Sequence, residues 1–141
     1  PLSSAAFKEI KKITEPAVRS IIKRADRIRS TLADLDRLES EDLKSIRARN
    51  IHELTKAHEA KNLALLCKAT FRSSLEREET RYSHYRQDFP CRDDQNWLKW
   101  VIIKQNPDKE IEVRTEPVPF DQYQVKPEKW GKVPNSDFPS K

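Results

Sequence analysis

The chain has 141 residues and a formal net charge of +5 at pH 7, with 36% charged and 35% hydrophobic residues. That length fits one domain with a modest core, and the charged fraction requires an extensive polar surface or a contact face. Because 28 basic residues are interleaved with 23 acidic ones, the charge gives little support to a nucleic-acid partner. No apolar run approaches the roughly 18 residues of a membrane span.

Glycine is nearly absent from the sequence, where Gly131 is the only one. Phosphate-binding loops and dinucleotide-binding turns need several glycines, because phosphate oxygens must approach bare backbone amides at a helix N-terminus. We therefore expect no nucleotide or dinucleotide cofactor to be bound within this chain.

The first residue and the methionine, cysteine and histidine content indicate the origin of the chain, its compartment and whether it binds a metal. It begins at Pro1 and contains no methionine, so we expect a fragment or a processed chain. Cys67 and Cys91 have neither metal-ligand nor disulfide-framework spacing, which favours a reducing, cytoplasmic setting. His52 and His58 are six residues apart and would lie on different faces of a helix, so no metal site is expected.

The N-terminal part predicts helices. Residues 3–15, SSAAFKEIKKITE, offer a serine cap followed by apolar residues at helical spacing. Proline fits the first turn of a helix, so Pro16 should open the next helix, with Thr14 as a candidate cap. Apolar residues recur every three or four positions over residues 17–38, which predicts one continuous helix there.

A third helix is predicted to begin at residues 39–42, ESED, with Ser40 as its cap and acidic groups at the positive end of its dipole. It contains no proline or glycine before Arg81 and should run for about 35 to 40 residues. Two long helices with a short polar link should lie antiparallel, and the first short helix can cover their open side. Residues 1–80 therefore predict a three-helix bundle.

Residues 81–141 predict a motif turn, a hairpin and a tail. WLKWVIIK at 97–104 is aromatic and β-branched, NPDK follows as a turn, and IEVRTEPV alternates as a second strand. Beyond Pro117 the chain is rich in proline and should be extended, ordered where it lies against a partner. The expected fold is mainly α: a three-helix bundle followed by a short β-hairpin and an extended proline-rich C-terminal tail.

A specific motif occupies residues 77–100, REETRYSHYRQDFPCRDDQNWLKW. It resembles the end of the flavoprotein subunit of succinate dehydrogenases and fumarate reductases, whose pattern is close to RxESRGxHxRxDFPxRDDxNWLKH. L-aspartate oxidase and the alpha subunit of adenylylsulfate reductase are similar over the same stretch. Fifteen positions match in one register: Arg77, Glu79, Arg81, His84, Arg86, Asp88, Phe89, Pro90, Arg92, Asp93, Asp94, Asn96, Trp97, Leu98 and Lys99.

Two positions depart from that family pattern. Tyr82 stands where the pattern has glycine, and Trp100 stands where it often has histidine. A tyrosine adopts a left-handed backbone only at a cost, so the turn after the third helix can differ from the dehydrogenase form. The subfamily and the substrate therefore stay open.

The resemblance implies that an FAD-binding domain, which holds the residues that accept hydride and protonate substrate, lies upstream of this chain. None of the family's catalytic positions falls within these residues, so we assign no catalytic residue and expect the chain alone to be inactive. The parent protein would use FAD, with succinate or fumarate as the leading substrate and aspartate or adenylylsulfate behind them. In respiratory members an iron–sulfur subunit docks on the same polypeptide, which implies a cytoplasmic protein or one at the cytoplasmic face of a membrane.

The polar and aromatic motif residues are interpreted as structural or interface residues. They are Arg77, Glu79, Arg81, His84, Arg86, Asp88, Arg92, Asp93, Asp94, Asn96 and Trp97. Such a mixture of opposite charges can hold a turn rigid through bidentate arginine–carboxylate pairs, or can bind an anion or an acidic partner. A contact with the edge of a substrate or cofactor and a plain solvated surface are the weaker alternatives.

A second hypothesis belongs to another class of protein. The chain could be a freestanding helical adaptor that binds an acidic protein or nucleic acid through its basic residues and aromatic side chains. Salt dependence separates the two hypotheses, because counterion release makes nucleic-acid affinity fall steeply with salt. A missing intramolecular interface should instead leave an exposed apolar face and self-association.

Overall fold

The computed structural model describes residues 3–108, 110–124 and 132–134. Its helical part contains α1 (Ser3–Thr14), α2 (Ala17–Ser20), α3 (Ala25–Leu38), a π-helical turn (Glu39–Leu43) and α4 (Ile51–Glu76). The rest contains β1 (Cys91–Asp93), α5 (Asp94–Trp97), β2 (Lys99–Gln105), β3 (Ile111–Pro117), a 3₁₀ turn (Phe120–Gln122) and β4 (Lys132–Pro134). The predicted mainly α fold is confirmed.

Helices α1, α3 and α4 pack around one apolar core, which confirms the predicted three-helix bundle. The buried members of this core are Ala6, Ile10, Ile13, Ile28, Leu32, Leu35, Leu38, Leu43, Ala60, Ala64 and Phe71. In the middle of α4 the buried positions are alanines, whose small side chains allow the neighbouring helices to approach closely. Packing therefore depends on one face of each helix.

Side-chain contacts give the direction of the helices. Near the start of α1 and of α4, the Nζ atom of Lys56 lies 5.9 Å from the ring centroid of Phe7. The start of α3 lies at the end of α4, because Asp88 accepts from the amide of Ala25 and pairs with Arg86, which donates to the carbonyl of Ser74. The C-terminal end of α3 lies further back along α4, where Asp36 pairs with Lys68 at 2.7 Å. The two longest helices are therefore antiparallel, as expected for neighbours in a bundle.

The predicted continuous helix over residues 17–38 is wrong, because α2 and α3 are separate helices. Between them the amide of Lys23 donates to the carbonyl of Tyr85 at 3.2 Å, and the carbonyl of Lys23 accepts from the amide of Gln87 at 2.8 Å. Apolar periodicity could not indicate this break, since its hydrogen-bond partners lie in a distant segment. Thr14 does not cap α2, because its hydroxyl donates to a backbone carbonyl within α1 at 2.9 Å.

The third long helix begins later than predicted. Ser40 does not cap it, because its hydroxyl donates to the carbonyl of Arg37 at 2.9 Å within a π-helical turn that continues α3. The cap is Asn50, whose side-chain oxygen accepts from the amide of Glu53 at 2.9 Å. The carboxylate of Glu53 accepts in return from the amide of Arg49, also at 2.9 Å. Helix α4 therefore has 26 residues and is shorter than predicted.

Strands β2 and β3 form the predicted hairpin, which is confirmed. They pair antiparallel, with Lys99 opposite Pro117 and Gln105 opposite Ile111, and they pack against α4. Strand β1 pairs antiparallel with β4. Most of the predicted extended tail, residues 125–131 and 135–141, lies outside the described residues. Among the helices that are described, none has the length and hydropathy needed to cross a membrane.

Candidate functional site

Glu79 lies at the centre of a buried ion network just after α4. Glu79 has no solvent exposure. Its carboxylate accepts hydrogen bonds from Arg77 Nη1 at 2.5 Å and from Arg81 Nε at 2.7 Å. Arg81 Nη2 and the amide of Asp93 complete the set, each at 2.9 Å. Charge-assisted bonds of this kind are about twice as strong as neutral ones and fix the geometry of the fork.

Asp94 extends this network to a second carboxylate. Its two oxygens accept from Arg81 at 2.7 Å and from Arg92 at 2.8 Å. Burial opposes the charge of Arg81, but hydrogen bonds to Glu79 and Asp94 raise the pKa of its guanidinium above the usual value. Arg81 is therefore held in its charged form between two carboxylates.

Arg77 connects the network to the start of β2. Its guanidinium donates to the carbonyls of Trp97 at 3.1 Å and Lys99 at 2.6 Å. The same guanidinium lies 5.4 Å from the centroid of the Trp97 ring, and the ammonium of Lys99 lies 5.4 Å from that centroid as well. Both are cation–π contacts, in which each cation is attracted to the Trp97 ring.

Arg86 joins the ends of two helices and is only 1% exposed. Its Nη1 atom donates to the carbonyls of Ser74 at 2.6 Å and Arg77 at 3.0 Å, at the end of α4. Its Nε and Nη2 atoms form a bidentate pair with Asp88 at 2.8 and 2.9 Å. Asp88 in turn accepts from the amide of Ala25, the first residue of α3, at 2.9 Å.

This pair satisfies helix-end groups that have no partner inside a helix. A cation lies at the negative end of α4 and an anion at the positive end of α3, which is the favourable sense for both helix dipoles. Burial would raise the pKa of Asp88, but hydrogen bonds from Arg86 and from the amide of Ala25 hold it below its usual value. Arg86 and Asp88 therefore fix the position of α3 relative to α4.

His84 is a partly buried, neutral histidine in this arrangement. Burial lowers its pKa to about 4, and the positive charges of Lys23, Arg77 and Arg86 act in the same direction. Its Nε2 atom lies 3.3 Å from the carbonyl of Arg77. A neutral imidazole with its proton on Nε2 donates a hydrogen bond to that carbonyl, so the geometry is that of a positioning side chain.

The turn of residues 81–84 has a left-handed backbone. Arg81 and His84 exchange two backbone hydrogen bonds of 2.9 Å each, and Tyr82 between them has a φ of 50°. The Tyr82 residue is 80% exposed and gains little packing to offset the steric cost. Tyrosine therefore adopts here the backbone conformation that glycine adopts freely.

Asp93 caps the start of the short helix α5, near the end of the motif. The side chain of Asp93 accepts from the amide of Asn96 at 3.2 Å and from its Nδ2 atom at 2.9 Å. The structure thus brings the predicted motif residues together in two linked clusters, one centred on Glu79 and one on Arg86.

Two residues of the site were missed from the sequence. Thr80 is fully buried, and its hydroxyl accepts from the amide of Arg86 at 2.9 Å and lies 2.8 Å from the carbonyl of Phe89, to which it donates. The family pattern has a serine at this position, so the sequence could have indicated that the hydroxyl group of Thr80 belongs to the site. Lys23 was missed because it lies far from the motif in sequence.

Two cavities lie beside the site. One of 310 Å³ is lined by residues that include Arg77, His84 and Trp100, and one of 520 Å³ by residues that include Arg29 and Phe89. The described residues contain no glycine-rich turn of the kind that binds the pyrophosphate of FAD. Across the same described ranges, no group of three or more His, Cys, Asp or Glu side chains could hold a metal ion.

Comparisons with known proteins agree with this geometry. Residues 8–131 match the family model described as fumarate reductase flavoprotein C-term. L-aspartate oxidase of Streptomyces coelicolor is 38% identical over 61 residues, which are 43% of this chain and 10% of that protein. An uncharacterised FAD-dependent oxidoreductase of Methanocaldococcus jannaschii is 33% identical over 85 residues, which are 60% of this chain and 15% of that protein.

A solved structure shows the same fold. The FrdA chain of E. coli quinol fumarate reductase, in a point-mutated form, superposes with a TM-score of 0.77 and 20% sequence identity. The match covers 92% of this chain and 23% of the FrdA chain, so this chain spans a small part of the proteins that it resembles. Because the family model matches most of its length, the chain belongs to the fumarate reductase flavoprotein C-terminal family.

Proposed function

We propose that this chain is the supporting and docking domain of a larger FAD-dependent oxidoreductase. FAD and the catalytic residues belong to another part of that protein, and succinate or fumarate is the leading substrate. Family membership supports the proposal, as does the small share of each relative that the chain covers, 10% and 15%. The described residues hold an ion network whose members pair with one another, which suits support rather than chemistry.

The observation that carries the proposal is a row of exposed apolar side chains on α4. Ile51 is 77% exposed, Leu54 44%, Leu65 36% and Leu66 65%. With 3.6 residues per turn these positions share one face, opposite the alanines that pack in the bundle. The four side chains form two pairs, and exposed Thr55, His58 and Asn62 lie between the pairs on the same face. Exposed aliphatic side chains favour a contact surface, so we assign this face to the flavin-carrying part.

The ion network gives this surface a fixed shape. Arg86 and Asp88 hold the end of α4 against the start of α3, and Arg77 holds it against β2. A contact surface that is already rigid loses little conformational entropy when it binds. The two clusters therefore prepare α4 for docking, although they lie outside its apolar row.

An electron-transfer partner is the second binding partner in this proposal. We expect an iron–sulfur subunit, docked on the same polypeptide in the cytoplasm or at the cytoplasmic face of a membrane. The net charge of +5 favours a partner with an acidic surface, because complementary charge accelerates association. Purification of the full-length protein under mild conditions should retain an iron–sulfur polypeptide, and its consistent absence would remove this part of the proposal.

Reconstitution with the flavin-carrying part tests the main proposal. The chain is added to a separately produced polypeptide that comprises the preceding residues of the full-length protein. We expect the two to associate and the melting temperature of the flavin-carrying polypeptide to rise, because the chain binds only its folded state. Yellow flavin absorbance should stay with that polypeptide when the two are separated.

A variant of the apolar face sharpens this experiment. Leu66→Gln should weaken association about tenfold, a loss of about 1.4 kcal/mol, while the stability of the chain alone stays nearly unchanged. His52→Gln, at an exposed position on another face of α4, is the matched control and should bind normally. Stoichiometric FAD binding by the chain alone would contradict the proposal, and salt-sensitive binding to an oligonucleotide would favour the adaptor hypothesis instead.

A further inference from the structure

Lys23 lies in the break between α2 and α3 and is only 9% exposed. Its backbone pairs with the segment from Tyr85 to Gln87, which places Lys23 opposite Arg86 in a parallel β-bridge. Residues paired in this way have their side chains on the same side of the ladder, so two cations are neighbours. Like charges directly opposite each other are destabilising.

The two cations differ in what surrounds them. Arg86 is neutralised by Asp88 and bonded to carbonyls at the end of α4. Lys23 has no ion pair and no side-chain hydrogen bond with any residue in the part of the chain that the structure describes. Burial, and then the charge of Arg86, lower the pKa of the Lys23 ammonium. The stem of Lys23 is covered while its ammonium reaches water, so this cation without a counter-ion carries a partial desolvation cost.

The residues immediately before Lys23 are apolar and exposed. Ile21 is 54% exposed and Ile22 is 37% exposed, although aliphatic side chains of this size usually pack inside a protein. A cation without a counter-ion beside exposed aliphatic side chains is typical of a protein interface, where the charge pairs with an anion of the partner as water is excluded. The break between α2 and α3 therefore has the composition of a contact site.

We propose that Lys23, together with Ile21 and Ile22, binds a carboxylate side chain of the flavin-carrying part of the same protein. This contact rests on the function proposed above and supplies its polar element. Charge complementarity requires an anion, and the aliphatic side chains favour a carboxylate on a protein surface over a small ion. Because the matched segments cover only 10% and 15% of two relatives, most of such a polypeptide lies outside this domain.

The free chain already covers most of the Lys23 side chain. Association therefore adds the attraction of the carboxylate, while part of the cost of desolvating this cation is already present in the free chain. Removing the ammonium should then act in opposite directions in the two states: it relieves the free chain of an unpaired charge and deprives the assembled protein of an ion pair.

Lys23→Met tests the site, because methionine keeps the apolar stem and removes the charge. In the isolated chain we expect the melting temperature to stay the same or to rise. With the flavin-carrying polypeptide as the probe, we expect the dissociation constant to increase about 30-fold or more. Lys8→Met, which removes an exposed lysine of α1, is the matched control and should change neither quantity.

Each outcome separates this site from the proposed function. If Lys23→Met binds the flavin-carrying polypeptide as tightly as the unchanged chain does, the carboxylate contact is overturned and the proposed function stands. If the unchanged chain does not bind that polypeptide, the proposed function fails and the contact fails with it. A drop in the stability of the isolated chain that accounts for all of the lost binding would show a structural lysine, whereas recovery of binding by Lys23→Arg would support the contact.

Discussion

The helical bundle and the motif region at its end are stabilised by different interactions. In the bundle the fully buried side chains are mainly aliphatic, such as Ile10 and Leu35, whereas in the motif region they include Arg86 and Glu79. Apolar packing is not directional, so many aliphatic sequences can fill the same space. Arginine–carboxylate pairs require a particular donor at a particular angle. The bundle should therefore tolerate conservative substitution and the motif region should not.

The largest expected effect is that of Glu79→Gln in the motif region. Glutamine keeps the shape but leaves Arg77 and Arg81 buried without their counter-charge, and breaking a buried pair in this way costs about 3–5 kcal/mol. Urea denaturation measures the free energy of unfolding. Glu78→Gln, at the exposed neighbouring position, is the control and should stay within about 0.5 kcal/mol of the unchanged chain. Equal losses in the two variants would show that the buried ion pairs of Glu79 do not supply the expected stability.

In the bundle, Leu35→Ala should cost about 3 kcal/mol, because it leaves a cavity at a position with 0% exposure. Leu35→Met, which conserves volume, should cost less than about 1.5 kcal/mol. The corresponding conservative change in the motif region, Arg81→Lys, should cost more than Leu35→Met, since lysine cannot form the fork. The same denaturation experiment ranks the three variants, and the opposite order for the last two would show that the regions tolerate change equally.

A smaller effect is expected from pH, through His84. Its pKa is lowered from 6.5 to about 4 in the folded chain, so only the unfolded chain takes up a proton between these values. Stability from this group is therefore present above pH 6.5 and is lost as the pH falls towards 4. At about 1.4 kcal/mol per pKa unit, reduced by partial exposure, the loss should be about 2 kcal/mol.

Denaturation at several pH values over this range measures the His84 contribution. His84→Gln should flatten the part of the profile that carboxylates do not explain. His52→Gln, at an exposed position of α4, should leave the profile as it is. A His84→Gln profile with an unchanged slope would mean that the loss arises in the ion pairs alone.

The smallest effect should be a gain in stability from Tyr82→Gly. The positive φ of 50° costs a tyrosine about 1–2 kcal/mol, and the greater freedom of glycine in the unfolded chain offsets part of the gain. We expect a net stabilisation of about 0.5 to 1 kcal/mol, visible as a higher melting temperature. Tyr82→Ala removes the same exposed ring but not the steric cost, so a similar gain in that variant would point to the ring and not to the backbone.

The bundle and the hairpin could be predicted because their signals are local. Apolar spacing of three to four residues and the alternation of IEVRTEPV reflect the face that each element buries. The break at Lys23 could not be predicted, since Tyr85 and Gln87 supply its hydrogen bonds. The start of α4 also has a local signal, because Asn50 followed three residues later by Glu53 is a capping pattern, and the acidic segment at residues 39–42 is a competing one.

The members of the candidate site were recognisable from the motif, but their pairing was not. Four arginines and five acidic residues in the motif allow many combinations, and the tertiary turn decides between them. Glu79 accepts hydrogen bonds from Arg77 and Arg81, and Arg86 forms an ion pair with Asp88. The role of Asp88 at the start of α3 requires a contact between residues 63 positions apart. No local pattern carries that information.

The bond from Asp88 to the amide of Ala25 bears on the order in which the chain folds. Loop closure over 63 residues is slow compared with the formation of a helix turn, so α3 and α4 can form before their ends are joined. During synthesis on a ribosome α3 and α4 would emerge first, and the end of α4 would stay frayed until residues 88–90, which include Asp88, had been added. Formation of the contacts that Arg86 and Asp88 make with the helix ends would then be a late step in folding, and the contact surface would reach its final shape only after it.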